Sequence, residues 1–417
     1  MSTAPTPGQL AWQEAGFGLF LHFGLNTFHG REWSDGTLDP ATFDPADLDA
    51  SRWVDVARQA GAKYLVLTAK HHDGFCLWPT GTTAYSVASS PGAAAVVTWS
   101  ASWPRPAGPR ICRWACTCPP GTATRPATPT RPRTTSSTCA SSPNCAPGTG
   151  PVRAVVRRRG LGGRAYDWDA IMKVVDTHQP QAMVFNMGRP SIRWVGNEDG
   201  LATDPCRYTV DRLGRSMFTA EADRLDGLRY LPPECDVPIR AHWFWQPDDL
   251  DTLKSAEHLL AIWYRSVGLG AGLLLNVPPD RRGRLDEHDV ARLLEVTSEL
   301  RRRFATPRRA RLVHEPGRVV AEFDTEVELD HVELREDLTG GQRAGAHEVR
   351  CGEAVVAAGH TVGVRRWHAF PAIRTRRLTV VLDDPHARLT AVTGFRTGHE
   401  SSPALQRQPA LDSSKVD

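Results

Sequence analysis

FGLFLHFG, Phe17 to Gly24, and KYLVLTAK, Lys63 to Lys70, decide the fold. Each is an apolar run too short for a helix and long enough for one buried strand. Between them Trp53, Val54, Ala57 and Ala60 recur at helical spacing, with Ser51 able to cap and Gly61 to close the helix. Strand, helix and strand with a short connection is a βαβ unit, which implies a parallel pair. The pattern returns after Tyr166. AYDWDAIMKVVDTHQP reads as a capped helix with Ile171, Val174 and Val175 on one face, and QAMVFN as the strand that follows. VPIRAHWFW (Val237 to Trp245) reads as a strand, Leu253 to Val267 as an amphipathic helix, and GLLLNVPP (Gly272 to Pro279) as a strand with a proline stop. Asp286 caps a last helix through Val290, Leu293, Leu294 and Leu300, and Arg301 to Arg303 suit its C-terminus.

Repeated βα units of this kind predict an α/β fold with a (β/α)-barrel-like domain over residues 8–306. From about Pro307 the period changes. Val327, Leu329, Val332 and Leu334, then Leu378, Val380 and Leu382, alternate as half-buried antiparallel strands do. That predicts a small β-sandwich over 307–402, followed by a polar, disordered tail over 403–417.

The 417 residues suffice for two or three domains, and the formal net charge of +3 is small for that length. Nothing in the overall charge points to nucleic acid or a membrane surface. No apolar run approaches the ~18 residues of a transmembrane helix. MSTAPTPGQLAW lacks the basic start and apolar core of a secretory signal, so a cytoplasmic enzyme is expected. Cys76, Cys206, Cys235 and Cys351 are scattered as free thiols are, and the other five cysteines fall in one anomalous stretch.

That stretch runs from about Pro91 to Ala165. From Gly74 to Tyr166 there is no Asp, Glu or Lys, while Pro, Arg, Thr, Ser and Cys crowd together, as in PPGTATRPATPTRPRTTSST. On composition it is a basic, proline-rich linker. Its position argues otherwise: roughly two βα units are owed here, and a structureless insert of about 75 residues inside a barrel is suspect. Given GC-rich codons and a one-nucleotide shift, CRWACTCPPGTATRPAT reads as GVYLPPWDRHEAR, RTTSSTCASSPNC as YNEFYLRQLTEL, and the residues around VVRRRG (Val155 to Gly160) as WFDGA. Strand, loop and amphipathic helix reappear in one offset frame. Trp99, Trp103 and Trp114 interleave the arginines only sparsely, which gives little support to a nucleic-acid arm.

HFGLNTFHGREW and KHHDGF carry the sharpest chemistry. His22 ends the first strand, and His71 and His72 end the second. In a barrel those ends share one face. With Glu32 and Trp33 in the first loop they form a polar cup with an aromatic wall. Imidazole and carboxyl groups exchange hydrogen bonds with sugar hydroxyls, and an indole covers an apolar sugar face. A strand-end His can equally be structural, and of the adjacent pair one can simply pack. No HxH or HExxH spacing supports a metal, and none is expected. Glu198 lies in a Gly-flanked loop where partial desolvation would keep a carboxyl protonated, as a general acid requires. Glu234 in PPECDV competes for that role, and Trp243 either lines the pocket or belongs to the core.

FGLFLHFG, GREW, KHHDGFCLW, YDW, IRWVGNEDG, ECDV and LLLNVPPDRRG, in this order, resemble the retaining α-L-fucosidases of glycoside hydrolase family 29. The resemblance covers about residues 16–90 and 166–302. The GREWSDGTLDP loop and the trailing β-domain look more like the branch specific for α-1,3/1,4 linkages. It implies fucose binding by His22, Glu32, Trp33, His71 and His72, Glu198 as acid/base, no cofactor, and a fucosylated oligosaccharide as partner. It also implies an Asp nucleophile in a WFDG-type strand end, and the aligned place here is near Arg158. A retaining glycosidase needs two carboxyls about 5–5.5 Å apart, and an arginine cannot attack. The chain as written therefore reads as inactive, either a fucose-binding protein or a frame-shifted product. Reading the nucleotides across the codons for Ala88 to Trp168 is expected to reveal compensating frame changes near Pro91 and Arg164, and an uninterrupted frame would end the idea.

Overall fold

The computed structural model describes residues 3–91, 115–118, 153–156, 167–216 and 219–406. Parallel strands form the first domain: β1 (Phe17–Leu21), β2 (Tyr64–Leu67), β3 (Ala115–Cys118), β4 (Arg153–Val156), β5 (Met183–Phe185) and β6 (Arg193–Trp194). After the hairpin β7 (Thr209–Ser216) and β8 (Thr219–Tyr230) come β9 (Pro233–Pro238) and β10 (Gly272–Asn276). Two ladders run β2-β1-β10-β9-β6 and β3-β4-β5, and every pair in them is parallel. A parallel bridge from Phe185 to Ile192 joins β5 to the approach of β6, and β3 lies beside β2. Leaving out the antiparallel hairpin β7–β8, eight strands thus follow one another as in a (β/α)-barrel.

Alternation along these strands sorts their side chains. Leu19, Leu21, Leu65, Leu67, Leu273, Leu275, Cys235 and Val237 join one core with the helical residues Leu259, Ile262, Leu293 and Val296. Phe20, Tyr64, Val66 and Leu274 form a separate cluster against Trp243. The first set faces the surrounding helices and the second fills the barrel. Each buried Leu, Val or Phe contributes about 1.5–3 kcal/mol. Residues that continue the inner set beyond the strand ends, His22 after Phe20 and Asn276 after Leu274, are thereby set at the mouth.

The helices lie at Ala50–Gln59, Trp168–His178, Ala256–Arg265 and Glu287–Arg303, close to their predicted positions. Asp49 caps the first of these rather than Ser51, whose backbone N–H and hydroxyl both donate to the Asp49 carboxylate. The strand expected over Val237 to Trp245 is placed earlier, at Pro233–Pro238. Pro238 ends it, and the chain then turns so that Arg240, 1 % exposed, meets Asp249 at 2.7 Å, Asp289 at 2.8 Å and Asp286 at 3.0 Å. Asp286 thus both caps a helix and holds this cation. The β7–β8 hairpin had no counterpart in the sequence reading.

The C-terminal domain is the expected antiparallel β-structure. Its two long strands, Arg318–Glu336 and Arg366–Leu382, pair with each other and with shorter neighbours, and they enclose a core that includes Leu329, Val332, Leu334, Phe370, Leu378 and Val380. It docks on the barrel through Tyr264 Oη and His331 Nε2, 3.1 Å apart, and through Tyr208, whose hydroxyl donates to Gly270 O and accepts from Val364 N–H. The tail expected over 403–417 begins ordered. Leu405 packs on the barrel core, and the Gln406 N–H donates to His258 Nδ1 at 3.0 Å. Residues 407–417, like most of 91–165, lie outside the described residues. Among the described residues no helix is long and apolar enough to cross a membrane.

Arg240→Leu leaves Asp249 and Asp289 buried without their cation. Urea unfolding is expected to show a loss of about 3–5 kcal/mol. A loss below about 1 kcal/mol would mean that the turn after Pro238 does not depend on this ion cluster.

Candidate active site

His22 stands just beyond β1, 6 % exposed. Its backbone N–H and its ring Nδ1 both meet the Asn276 side-chain oxygen, at 3.2 and 2.8 Å. Its ring lies 5.7 Å from His71, which lies 4.6 Å from His72, which lies 4.4 Å from Trp33. Phe244 closes the back of this row, 5.4 Å from His22 and 4.8 Å from His71. Trp33 is 47 % exposed and stands at the rim. The loop that carries it is drawn down at Gly36, whose φ of +83° puts any Cβ within 2.6 Å of the Asp73 carbonyl oxygen. Only glycine fits there, and that contact brings the Glu32–Trp33 loop over the His71–His72 loop.

Trp243 joins the remaining groups. Its backbone N–H donates to Glu32 Oε1 at 2.6 Å, its carbonyl accepts from Asn276 Nδ2 at 2.8 Å, and its indole N–H donates to Glu198 Oε2 at 2.9 Å. Its ring lies 5.0 Å from His22. The sequence left Trp243 between pocket and core; the structure makes it the junction of the site.

Glu198 rides on a short loop built by Asn197. The Asn197 side-chain oxygen accepts from Asp199 N–H and Leu201 N–H, and its amide donates to Leu201 O. Gly200, at φ +76°, sits where a Cβ would meet Val237 and Ile262 at 2.8–2.9 Å. The loop is therefore pressed on the barrel with Glu198 turned toward Trp243. Glu234 lies elsewhere. It pairs in register with Gly272, four residues before Asn276 on β10 and so about 13 Å below the mouth. That depth separates it from the histidine row.

Burial pushes the Glu32 carboxyl up to about 7. The N–H groups of Phe244 and Trp243 and the nearby His242 pull it down again, and Glu198 adds a push upward. At neutral pH Glu32 therefore both donates and accepts. His242 Nδ1 lies 3.3 Å from Asp249, which ties it to the Arg240 ion cluster. Among the described residues no three His, Cys, Asp or Glu side chains converge as metal ligands would.

All of His22, Glu32, Trp33, His71, His72, Glu198 and Trp243 thus join one contact network. The sequence reading missed Asn276, Phe244 and the Arg240 cluster. Asn276 had a signal, an amide at the end of the apolar run GLLL. The others depend on contacts between distant segments. The expected place of the nucleophile, near Arg158, lies outside the described residues, just past the end of β4 at Val156.

A family model described as alpha-L-fucosidase matches residues 37–105 and 168–303. Alpha-L-fucosidase 1 of Arabidopsis thaliana is 35% identical over 310 residues, covering 71% of this chain and 60% of that protein. The chain thus spans about 60% of the length of that curated relative. A putative alpha-L-fucosidase from Bacteroides ovatus superposes with a TM-score of 0.77 at 32% identity, over 98% of this chain and 76% of that one. A Ruminococcus gnavus GH29 fucosidase, solved in complex with fucose, shares the fold with a TM-score of 0.75 at 22% identity, over 96% of both chains.

Raising the pKa of a carboxyl favours the folded state at low pH. Stability from Glu32 is complete below about 4.5 and is lost as pH rises through about 7. Glu32→Gln should flatten the fall in Tm across that window relative to the parent chain. Parallel Tm profiles would show that Glu32 is not held in its neutral form.

Proposed function

We propose, for a chain that belongs to the α-L-fucosidase family of glycoside hydrolases, that the mouth of its barrel binds a terminal α-L-fucosyl unit. The observation that carries this is the convergence of three imidazoles, Trp33 and Glu32 on a junction whose indole N–H holds Glu198 at 2.9 Å. His22, His71, His72 and Glu32 bind hydroxyl groups. Trp33, half-exposed at the rim, covers the C6 methyl face.

The family-level reaction is exo-hydrolysis by double displacement. A carboxylate attacks the anomeric carbon while Glu198 gives its proton to the leaving oxygen. Glu198 then takes a proton from the water that releases the sugar. Trp243 steers that carboxyl by donating to one of its oxygens at 2.9 Å. The GREWSDGTLDP loop and the trailing β-domain favour α-1,3/1,4 linkages.

This chain carries the binding half of that chemistry without the attacking half. VVRRRG stands in the sequence where an Asp is required, and a guanidinium there repels the oxocarbenium-like centre. The acid-free composition of the preceding stretch favours a change of reading frame as the cause. The domains we assign are a catalytic barrel over 8–306 and a β-domain over 307–402.

Calorimetry on the chain as it stands is expected to show fucose binding at millimolar affinity or better, with no fucose released from a Lewis-type trisaccharide. With the frame restored, release should appear, vanish in Glu198→Ala, and return with azide. Absence of both binding and release in the restored protein would overturn the assignment.

A further inference from the structure

Asn276 hydrogen-bonds both His22 and Trp243, and its geometry says more than that it is buried. It is 0 % exposed and uses both ends of its amide. Nδ2 donates to the Trp243 carbonyl at 2.8 Å, and Oδ1 takes the His22 backbone N–H at 3.2 Å and faces the His22 ring Nδ1 at 2.8 Å. The carbonyl can only accept and the backbone N–H can only donate. The amide therefore has one satisfactory orientation: flipped, it would set its NH2 against an N–H and its oxygen against an oxygen.

With Oδ1 fixed toward His22, the ring nitrogen facing it must carry a proton. The neutral imidazole then holds that proton on Nδ1 and presents Nε2 as an acceptor. We propose that Asn276 is a positioning residue that locks His22 in the Nδ1–H tautomer, so that His22 reads its ligand as a donor and accepts from a hydroxyl. The same amide fixes the Trp243 carbonyl, so the tautomer of His22 and the seat of the Glu198 carboxyl are set by one side chain. Its consequence for sugar recognition rests on the reading of the site given above, while the tautomer itself does not.

Thr68 shows how different a merely structural contact is. Its hydroxyl accepts from the Phe23 N–H at 3.1 Å and donates to the Phe23 carbonyl oxygen at 3.2 Å. Asn276, by contrast, meets both the backbone and the imidazole of His22.

The test is a long-range proton–nitrogen correlation spectrum of the full chain labelled with 15N-histidine, with the His22 signals identified by their loss in His22→Gln. The parent protein should show a protonated Nδ1 and an unprotonated Nε2 at neutral pH. Asn276→Leu, which can neither accept nor donate, should move His22 to the Nε2–H form or to a mixture. Asn276→Asp keeps the acceptor and so should keep the proton on Nδ1, and its negative charge should draw a second proton onto the ring. Fucose affinity should fall about tenfold in Asn276→Leu, the scale of one buried hydrogen bond.

A parent spectrum with Nε2–H overturns the proposal. So does a folded Asn276→Leu protein whose His22 signals match the parent's, or a folded Asn276→Asp protein in which Nδ1 has lost its proton. If Asn276→Leu does not fold, the parent and Asn276→Asp spectra still decide. If the tautomers behave as stated and fucose does not bind the parent at all, the positioning role stands and the sugar assignment falls.

Discussion

Trp243 spends every polar group it owns on a different part of the site. Its N–H holds Glu32, its carbonyl holds Asn276, and its indole holds Glu198. These three partners come from the first βα loop, the last barrel strand and the loop after β6. At the mouth Trp243 thus ties three separate segments of the chain to one another. That residue in turn is held from below, where its ring caps the inner cluster of Phe20, Tyr64, Val66 and Leu274. It is held from behind by the turn that Arg240 anchors among three aspartates. A buried cation with three carboxylates is costly to desolvate and gains little net stability. Here it serves geometry, because a residue at position 240 that could not bind all three would release the turn that sets Trp243.

The electrostatics of the site follow from that arrangement. Glu32 is desolvated beneath aromatic rings, so its carboxyl is held up to about 7 although two backbone N–H groups point at it. Those N–H groups are fixed, and they act on whichever form the ligand favours. The site therefore offers a carboxyl that changes role with its partner, beside an imidazole whose proton is placed by an amide. A sugar presents hydroxyls that are donors and acceptors at once, and fixed polarities on the protein are what select one orientation of it. Trp33 adds area at the rim, without polar demands on the ring face.

Much of this was legible in the sequence, and the exceptions have a common cause. Strand and helix runs such as FGLFL, GLLLN and the helix after Asp286 announce themselves by period and cap. His22, His71, His72 and Glu198 follow, because a polar residue just past an apolar strand must lie at a barrel end. VPIRAHWFW was misread because its aromatic and β-branched residues have the composition of a strand. Tertiary contacts overrule that: Arg240 pairs with residues 9 and 49 positions away, which no local period encodes. Asp49 displaced Ser51 as cap for a reason of one atom's reach. The β7–β8 hairpin was hidden because DRLGRS and AEADRLDG are polar on both faces and carry no alternation.

The stretch between Pro91 and Ala165 supplies two short strands to the parallel ladders of the barrel. Inside it the backbone of Ala115–Cys118 pairs in parallel with Arg153–Val156, which pairs in parallel with Met183–Phe185 beyond it. The demands that a short strand makes on ACTC and RAVV are modest, chiefly four positions without a proline. Many sequences satisfy that, including ones never selected for it. A nucleophile makes the opposite demand, one residue type at one position, and a sequence out of register meets it only by chance. A ring of strands is therefore far less sensitive to the residues of such a stretch than a reaction that needs one carboxylate at one strand end.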